Sequence, residues 1–344
     1  FFTPLPEAAR VHRPVRCSLH VLYVWLGSRP TIAMEHKLVY TEISSSTSDV
    51  GATEYYIRNR NDDRITVIPK SKQSMQGLRT FLTQAFLPQG YPDSVSPDYF
   101  EYQCWDTAQA FASSITGTLA THATLTGLGV GSNEATAASA TVTYLMKDGT
   151  GMVGRILFAW AKGTDLDNNA KKWRLSADIL NDIAIFVEIL APGFPQYFVL
   201  LNCLSSVAKS IVGVAGGATR AAMTQHQARA NNSADVSAKD GSQETMVNLT
   251  ALLVSFMIVP LVAGHTVGTW ALFILFTLMH VYSNYRAVCS LMLDQFNYQR
   301  MLIATRYFIG NNSNNNNNNN NNNHVPTPRE MSRLEPIFLN TDFG

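Results

Sequence analysis

The feature that most constrains this chain is an absence of charge. From Thr245 to Tyr285, bounded by Glu244 and Arg286, 41 residues contain no Asp, Glu, Lys or Arg. A bilayer takes about 20 apolar helical residues per crossing, so the run is long enough for two. Pro260, Gly264, His265 and Gly268 interrupt it, which predicts a helical hairpin with spans Thr245–Ala263 and Thr266–Tyr285. Lys239 precedes the pair and Arg286, Arg300 and Arg306 follow it, while the turn between the spans carries no basic residue. The positive-inside rule then puts both ends of the hairpin in the cytoplasm. Trp270, Tyr282 and Tyr285 fall near the ends of the second span, where interfacial rings gather.

Two further stretches extend this reading. Ile183 to Ala208 is apolar apart from Glu188 and the Pro192-Gly-Phe-Pro195 turn, and Phe194 to Val214 is long enough to cross a bilayer with Lys209 facing protein. Gly213, Ala215, Gly216, Gly217 and Ala218 would supply a flat face for helix pairing in lipid. In Thr107–Met146, 26 of 40 residues are Ala, Ser, Thr or Gly and Glu134 is the one charge, which predicts tightly packed helices over Tyr102–Leu125 and Glu134–Met146. Upstream, Tyr55–Ile68 reads as a strand hairpin turning at Asn61-Asp-Asp63. The fold class expected is mainly α: a polytopic helical membrane protein with a small strand-containing segment near its N-terminus.

Organisation along the chain follows. Residues 1–33, with Arg10, Arg13, Arg16 and Arg29 against Glu7, are expected to be a targeting or non-native extension. Residues 34–80 form the N-terminal segment, 81–310 the helical core, 311–323 a disordered Asn-rich insertion and 324–344 the start of a further C-terminal region. Charged residues make up 15%, against roughly 25% in a typical soluble domain, and the net charge is +1. Without a basic run the chain has no means of neutralising phosphates, so nucleic acid is excluded as a partner. Cys17, Cys104, Cys203 and Cys289 are widely spaced, which argues against a zinc ribbon or a disulfide framework.

The motifs that could carry chemistry are few. Gly149-Thr-Gly-Met-Val-Gly154 spells GxGxxG, but no series of βα units surrounds it, so a nucleotide site is not expected. Asp178 and Asp182, at i and i+4, share a helical face with Asn181 nearby and Glu188 beyond. These acids either hold a cation or pass a proton, needing a partner such as Arg155, Lys209 or Arg220, or they solvate the wet end of an amphipathic helix. No HExxH occurs, the histidines are scattered with His226 and His265 adjoining apolar segments, and no metal site is expected. Arg220 to Glu244 reads as a long polar loop in which Lys239 and Asp240 bind or gate. The ligand-binding set is thus Arg155, Asp178, Asp182, Lys209, Arg220, Lys239 and Asp240, with the cations meeting an anionic group such as phosphate. No catalytic residue, cofactor or metal is assigned, and the chain is expected not to be an enzyme. A membrane-embedded enzyme using Asp178 and Asp182, and a soluble helical adaptor that buries its apolar runs, are the alternatives.

Several longer segments share one resemblance. Leu87-Pro-Gln-Gly-Tyr-Pro-Asp-Ser-Val95, Lys147-Asp-Gly-Thr-Gly-Met-Val-Gly-Arg-Ile156, Asp178-Ile-Leu-Asn-Asp182, Gly213-Val-Ala-Gly-Gly-Ala-Thr-Arg220 and Asn232-Ser-Ala-Asp-Val-Ser-Ala-Lys-Asp-Gly-Ser-Gln-Glu-Thr245 resemble the root UVB sensitive (RUS) family. The likeness spans about Phe81 to Phe338, with Val325-Pro-Thr-Pro-Arg-Glu330 similar to a later family segment and the Asn tract departing from the pattern. It implies a eukaryotic membrane-associated protein without an established reaction. In plants the family is linked to ultraviolet-B sensing in roots, seedling development, auxin transport and vitamin B6 homeostasis. It also implies a homo- or hetero-oligomer with another family member, in a role that carries, senses or scaffolds.

Overall fold

The structure, a computed structural model, describes residues 37–43, 53–58, 65–68, 74–129, 137–315 and 327–337. The chain divides into two compact units, Phe1–Ala85 and Phe86–Gly344. In the first, strands β1 (Lys37–Ile43), β2 (Thr53–Arg58) and β3 (Ile65–Ile68) pair antiparallel in the order β1-β2-β3, with Tyr55 opposite Ile68 and Arg58 opposite Ile65. Helix α1 (Ser74–Phe86) follows. The expected extension 1–33 and the turn Asn61–Asp63 lie outside the described residues.

The second unit is helical. Six long helices make its body: α2 (Tyr99–Gly127), α3 (Ala137–Lys162), α4 (Ala170–Leu190), α5 (Phe198–Gln227), α6 (Ser233–Val262) and α7 (Thr266–Ser290). Two shorter helices, α8 (Tyr298–Asn315) and α9 (Pro328–Leu334), close it. Helix α8 runs into the Asn tract as far as Asn315.

Side-chain contacts fix how the helices run. On α2, Gln103 meets Asp240 and Ser114 meets Asn248, so α2 and α6 are parallel. Asp106 meets Arg174 and Ser113 meets Asn181, so α4 runs the same way. Gln109 meets His280 while Tyr102 packs on Ala287 and Leu119 on Phe273, so α7 is antiparallel to α2. Ala177 packs with Ala215 and Ser205 donates to the Ala184 carbonyl, so α5 opposes α4. Gly151 abuts Ser206 and Gly154 abuts Ser210, so α3 runs with α5. The six helices therefore alternate in direction along the chain, which short connections require of antiparallel neighbours.

This alternation creates two unlike faces. The end of α2 and the start of α3, with the connections 191–197 and 263–265, share one face, and the sequence between these helix ends contains no Lys or Arg. The other face gathers Lys162, Lys171, Lys172, Arg229, Arg300, Arg329 and Arg333. That basic face is pinned by Asp98, which accepts hydrogen bonds from the Met292 amide at 2.7 Å and His226 Nε2 at 3.0 Å. Asp294 pairs there with both Arg229 and Arg329, and Lys171 Nζ donates to the Ser332 carbonyl at 2.8 Å.

Several expectations change. Arg220 to Glu244 is not one long loop: Arg220–Gln227 ends α5, Ser233–Glu244 opens α6, and only Ala228–Asn232 connects them. Polar helix ends read as loop because their charges pair with each other across the turn. The predicted spans Thr245–Ala263 and Thr266–Tyr285 fall in α6 and α7. The expected pairing face on α5 is used in part, with Ala215 buried against Ala177 of α4 and Ala218 packed on the same cluster. Nothing lies within 4 Å of where a Cβ on Gly216 or Gly217 would sit, whereas Gly151 and Gly154 of α3 let it approach α5. The GxGxxG motif lies wholly inside α3 and shapes helix packing, with no loop to cradle a phosphate.

Because a Cβ on Gly149 meets nothing within 4 Å and one on Gly151 would come within 2.6 Å of Ser206 Oγ, the motif's glycines should respond differently. Gly149→Ala should stabilise the fold by up to about 1 kcal/mol through helix propensity. Gly151→Val should destabilise it by about 2 kcal/mol through overpacking. Thermal unfolding of the purified chain checks both; equal intolerance at the two positions would contradict the packing account.

Candidate functional site

A cavity of about 400 Å³ opens among α2, α4, α5 and α6. Its wall includes Tyr102, Asp106, Gln109, Arg174, Asp178 and Asn181, and its more exposed rim is Arg220, Glu244 and Asn248. The sequence makes this space where α5 offers the small Gly216 beside Val212, with Arg220 at the rim.

Two arginines organise the charge. Arg174 donates to Asp106 at 2.9 Å and lies 3.3 Å from Asp178, so one guanidinium bridges α2 and its own helix. Asp178 also accepts from Asn284 of α7 at 2.6 Å. Arg220 bridges Asp240 and Glu244, both at 2.6 Å, and Asp240 takes a further hydrogen bond from Gln103 at 3.1 Å. Charge-assisted bonds of this kind are the strong ones, and each carboxylate here would be costly without its partner.

One turn beyond Asp178, Asp182 accepts from or donates to His280 Nδ1 at 2.8 Å, and Gln109 contacts the other ring nitrogen at 3.0 Å. His280 is wholly buried, and Asp182 Oδ1 has no hydrogen-bond partner. Such a dyad can hold or relay a proton. Farther along, near the Lys- and Arg-free face, buried Glu188 binds Lys147 at 2.9 Å and Lys209 at 2.5 Å.

The expected binding set is therefore split. Asp178, Arg220 and Asp240 line one cavity. Asp182 sits behind it with His280. Lys209 belongs to the Glu188 triad, Arg155 lies beside Gly213 on α5, and Lys239 lies 3.9 Å from Asp235 on the exposed start of α6. The partners proposed for Asp178 and Asp182 among Arg155, Lys209 and Arg220 are corrected to Arg174 and His280, because α4 turns its acids toward α2 and α7. Asp106, Arg174, Glu244 and His280 were missed. Arg174 sits one turn before Asp178, an i,i+4 spacing that was readable; His280, inside an otherwise uncharged span, was the second signal. Among the described residues no group of three His, Cys, Asp or Glu is placed to hold a metal ion.

Comparison with known proteins bears on this arrangement directly. A family model described as the vitamin B6 photo-protection and homoeostasis domain matches residues 72–312, which takes in all six long helices. The chain belongs to the RUS family. It is 49% identical over 282 residues to RUS family member 1 of Dictyostelium discoideum, covering 81% of this chain and 51% of that one. It is 45% identical over 226 residues to protein root UVB sensitive 3 of Arabidopsis thaliana, covering 66% of this chain and 51% of that one. This RUS chain thus spans about half the length of these relatives. No solved structure matches it.

Two outcomes follow from the charges. Arg174→Met, which leaves Asp106 and Asp178 without their shared cation, should cost about 3 kcal/mol, more than Asp106→Asn, which leaves Arg174 still held by Asp178. Equal losses in chemical or thermal unfolding would contradict the bridging role. At the basic face, burial pushes the Asp98 carboxyl up, but hydrogen bonds from His226 and the Met292 amide outweigh it and hold the group below its ordinary value of 3.8. A carboxyl lowered in the folded state stabilises above its unfolded value and loses that contribution as pH falls below it. Asp98→Asn should therefore weaken the fold at neutral pH and flatten its stability loss between about pH 4 and about pH 2.

Proposed function

We propose that this RUS-family chain is a multi-pass membrane protein whose six long helices cross the bilayer in alternating directions, and whose cavity binds a small polar solute. The role is to carry or sense that solute in vitamin B6-related homeostasis, without chemical turnover. The observation that carries the reading is an inverted bundle: ion pairs and a polar cavity inside, apolar side chains outside.

Three helices, Pro195–Gln227, Ser233–Val262 and Thr266–Ser290, are long and apolar enough to cross a membrane. Leu253, Phe256, Met257 and Leu261 on α6, and Val267, Leu275 and Leu278 on α7, are largely exposed, which a soluble core would not leave open. Helix α3 repeats the inversion. It turns Lys147, Gly151 and Gly154 inward while Met152, Ile156, Leu157 and Trp160 face out, with Trp160 86% exposed. A helix packed side by side with α5 shares its depth, and so do α2 and α4 with α6 and α7.

The charged residues next to the apolar runs also share a level. Arg220 touches Glu244, and Arg286 lies over the Trp105 ring at 4.8 Å, next to Asp106 in sequence. From that level Thr107–Gly127, Thr245–Val262 and Thr266–Tyr285 run without a charge, each about the length of one crossing. The Lys- and Arg-free connections all leave from the far end, which supports placing the basic face in the cytoplasm. The cavity then opens toward that side. Its carboxylates are each engaged by Arg, Asn or Gln, which suits holding a ligand better than attacking one. Pairing with a second RUS-family chain through an outward apolar face is part of the same proposal.

Alkaline carbonate extraction of membranes containing the chain tests integration: it should stay in the pellet until detergent is added. Release by carbonate would refute the membrane reading. In detergent, a B6 vitamer at millimolar concentration should raise the unfolding temperature, and Asp178→Asn should remove most of that rise while the apo chain remains folded.

A further inference from the structure

The cavity's charge inventory points to the class of solute. Its wall carries four carboxylates, Asp106, Asp178, Asp240 and Glu244, against two guanidiniums, Arg174 and Arg220. Each guanidinium already lies between two carboxylates, so its charge is more than balanced, although Arg174 Nε has no hydrogen-bond partner. The remaining wall groups that can hydrogen bond are uncharged: Tyr102, Gln109, Ser113, Ser114, Asn181 and Asn248. One helical turn behind the wall, Asp182 keeps an oxygen without a hydrogen-bond partner.

We propose that this cavity takes a small organic cation, an amine or pyridinium, and not the phosphate-bearing anion that Arg220 suggests in isolation. The proposal rests on the reading of the cavity as a solute site. An incoming phosphate would have to share Arg174 or Arg220 with the two carboxylates that already neutralise each of them, and would sit beside those like charges, a strongly unfavourable placement. An ammonium group does the reverse: it enters a net negative enclosure, and carbonyl and hydroxyl oxygens of Gln109, Ser113, Ser114 and Asn248 can accept its protons. The absence among the described residues of a three-ligand metal cluster favours an organic cation over a bound metal ion. The 400 Å³ space is ample for a single substituted pyridine ring and too small for a nucleotide-sized ligand with its waters.

The full chain in phosphatidylcholine nanodiscs, studied by titration calorimetry at low salt, gives the test. Three probes share one ring and differ in charge: pyridoxamine, pyridoxine and pyridoxine 5′-phosphate. Pyridoxamine should bind about tenfold more tightly than pyridoxine, and the advantage should shrink as salt is raised. The phosphate should bind most weakly. Glu244→Gln, on the exposed rim where Arg220 keeps Asp240 as its partner, should weaken pyridoxamine several-fold and leave pyridoxine unchanged. Arg220→Gln should strengthen pyridoxamine, because it removes a competing cation. If the phosphate binds most tightly and Arg220→Gln abolishes it, the cationic class is overturned while the cavity stands as a solute site. If no probe binds, the solute reading falls and this proposal with it.

Discussion

The guanidinium of Arg174, set between Asp106 and Asp178, is the interaction on which the rest of the helical body depends. Through Asp106 it fixes α2, and through Asp178 and Asn284 it reaches α7. Under the membrane reading proposed above, exclusion of water does little to choose between helix arrangements. Polar contacts of fixed geometry then set depth and rotation. The same logic recurs twice, at Arg220 with Asp240 and Glu244 and at Glu188 with Lys147 and Lys209, so that α3, α4, α5 and α6 are each held by at least one buried or half-buried ion pair. The cavity is what remains between these clamps, bounded by groups whose first task is to hold helices together.

Where a structural signal is local, it was readable in the residues. Exclusion of charge over Thr245–Tyr285 is a property of consecutive residues, and the run falls within two helices with their break at Ala263–His265. Helix α3 was harder. Its Lys147, Asp148 and Arg155 and three glycines interrupt any apolar run, and their meaning depends on α5 and on Glu188, 41 residues away. Read alone, the same residues spell a nucleotide loop; packed, they are the inward stripe of a helix.

The site was legible in part for the same reason. Asp178 and Asp182 stood out through their spacing on one helix, but the cations that neutralise them could not be paired from sequence. Asp106 lies 68 residues from Arg174, and His280 lies 98 from Asp182. Arg220, Asp240 and Glu244 were seen as members of a loop, whereas the helices on either side of Ala228–Asn232 fold back and bring them together. Composition reports how much charge a chain carries; only the fold reports that the cavity's share is unbalanced toward carboxylate.

An even number of alternating helices brings the start of α2 and the end of α7 to the same face, the one toward which the Arg220 and Glu244 rim lies. The chain that leaves α7 therefore starts on the cavity-mouth face, and Asp294, held by Arg229 of the turn after α5 and by Arg329 of α9, keeps it there. A change that loosens this fastening acts on the mouth of the cavity before it acts on the far end of the bundle.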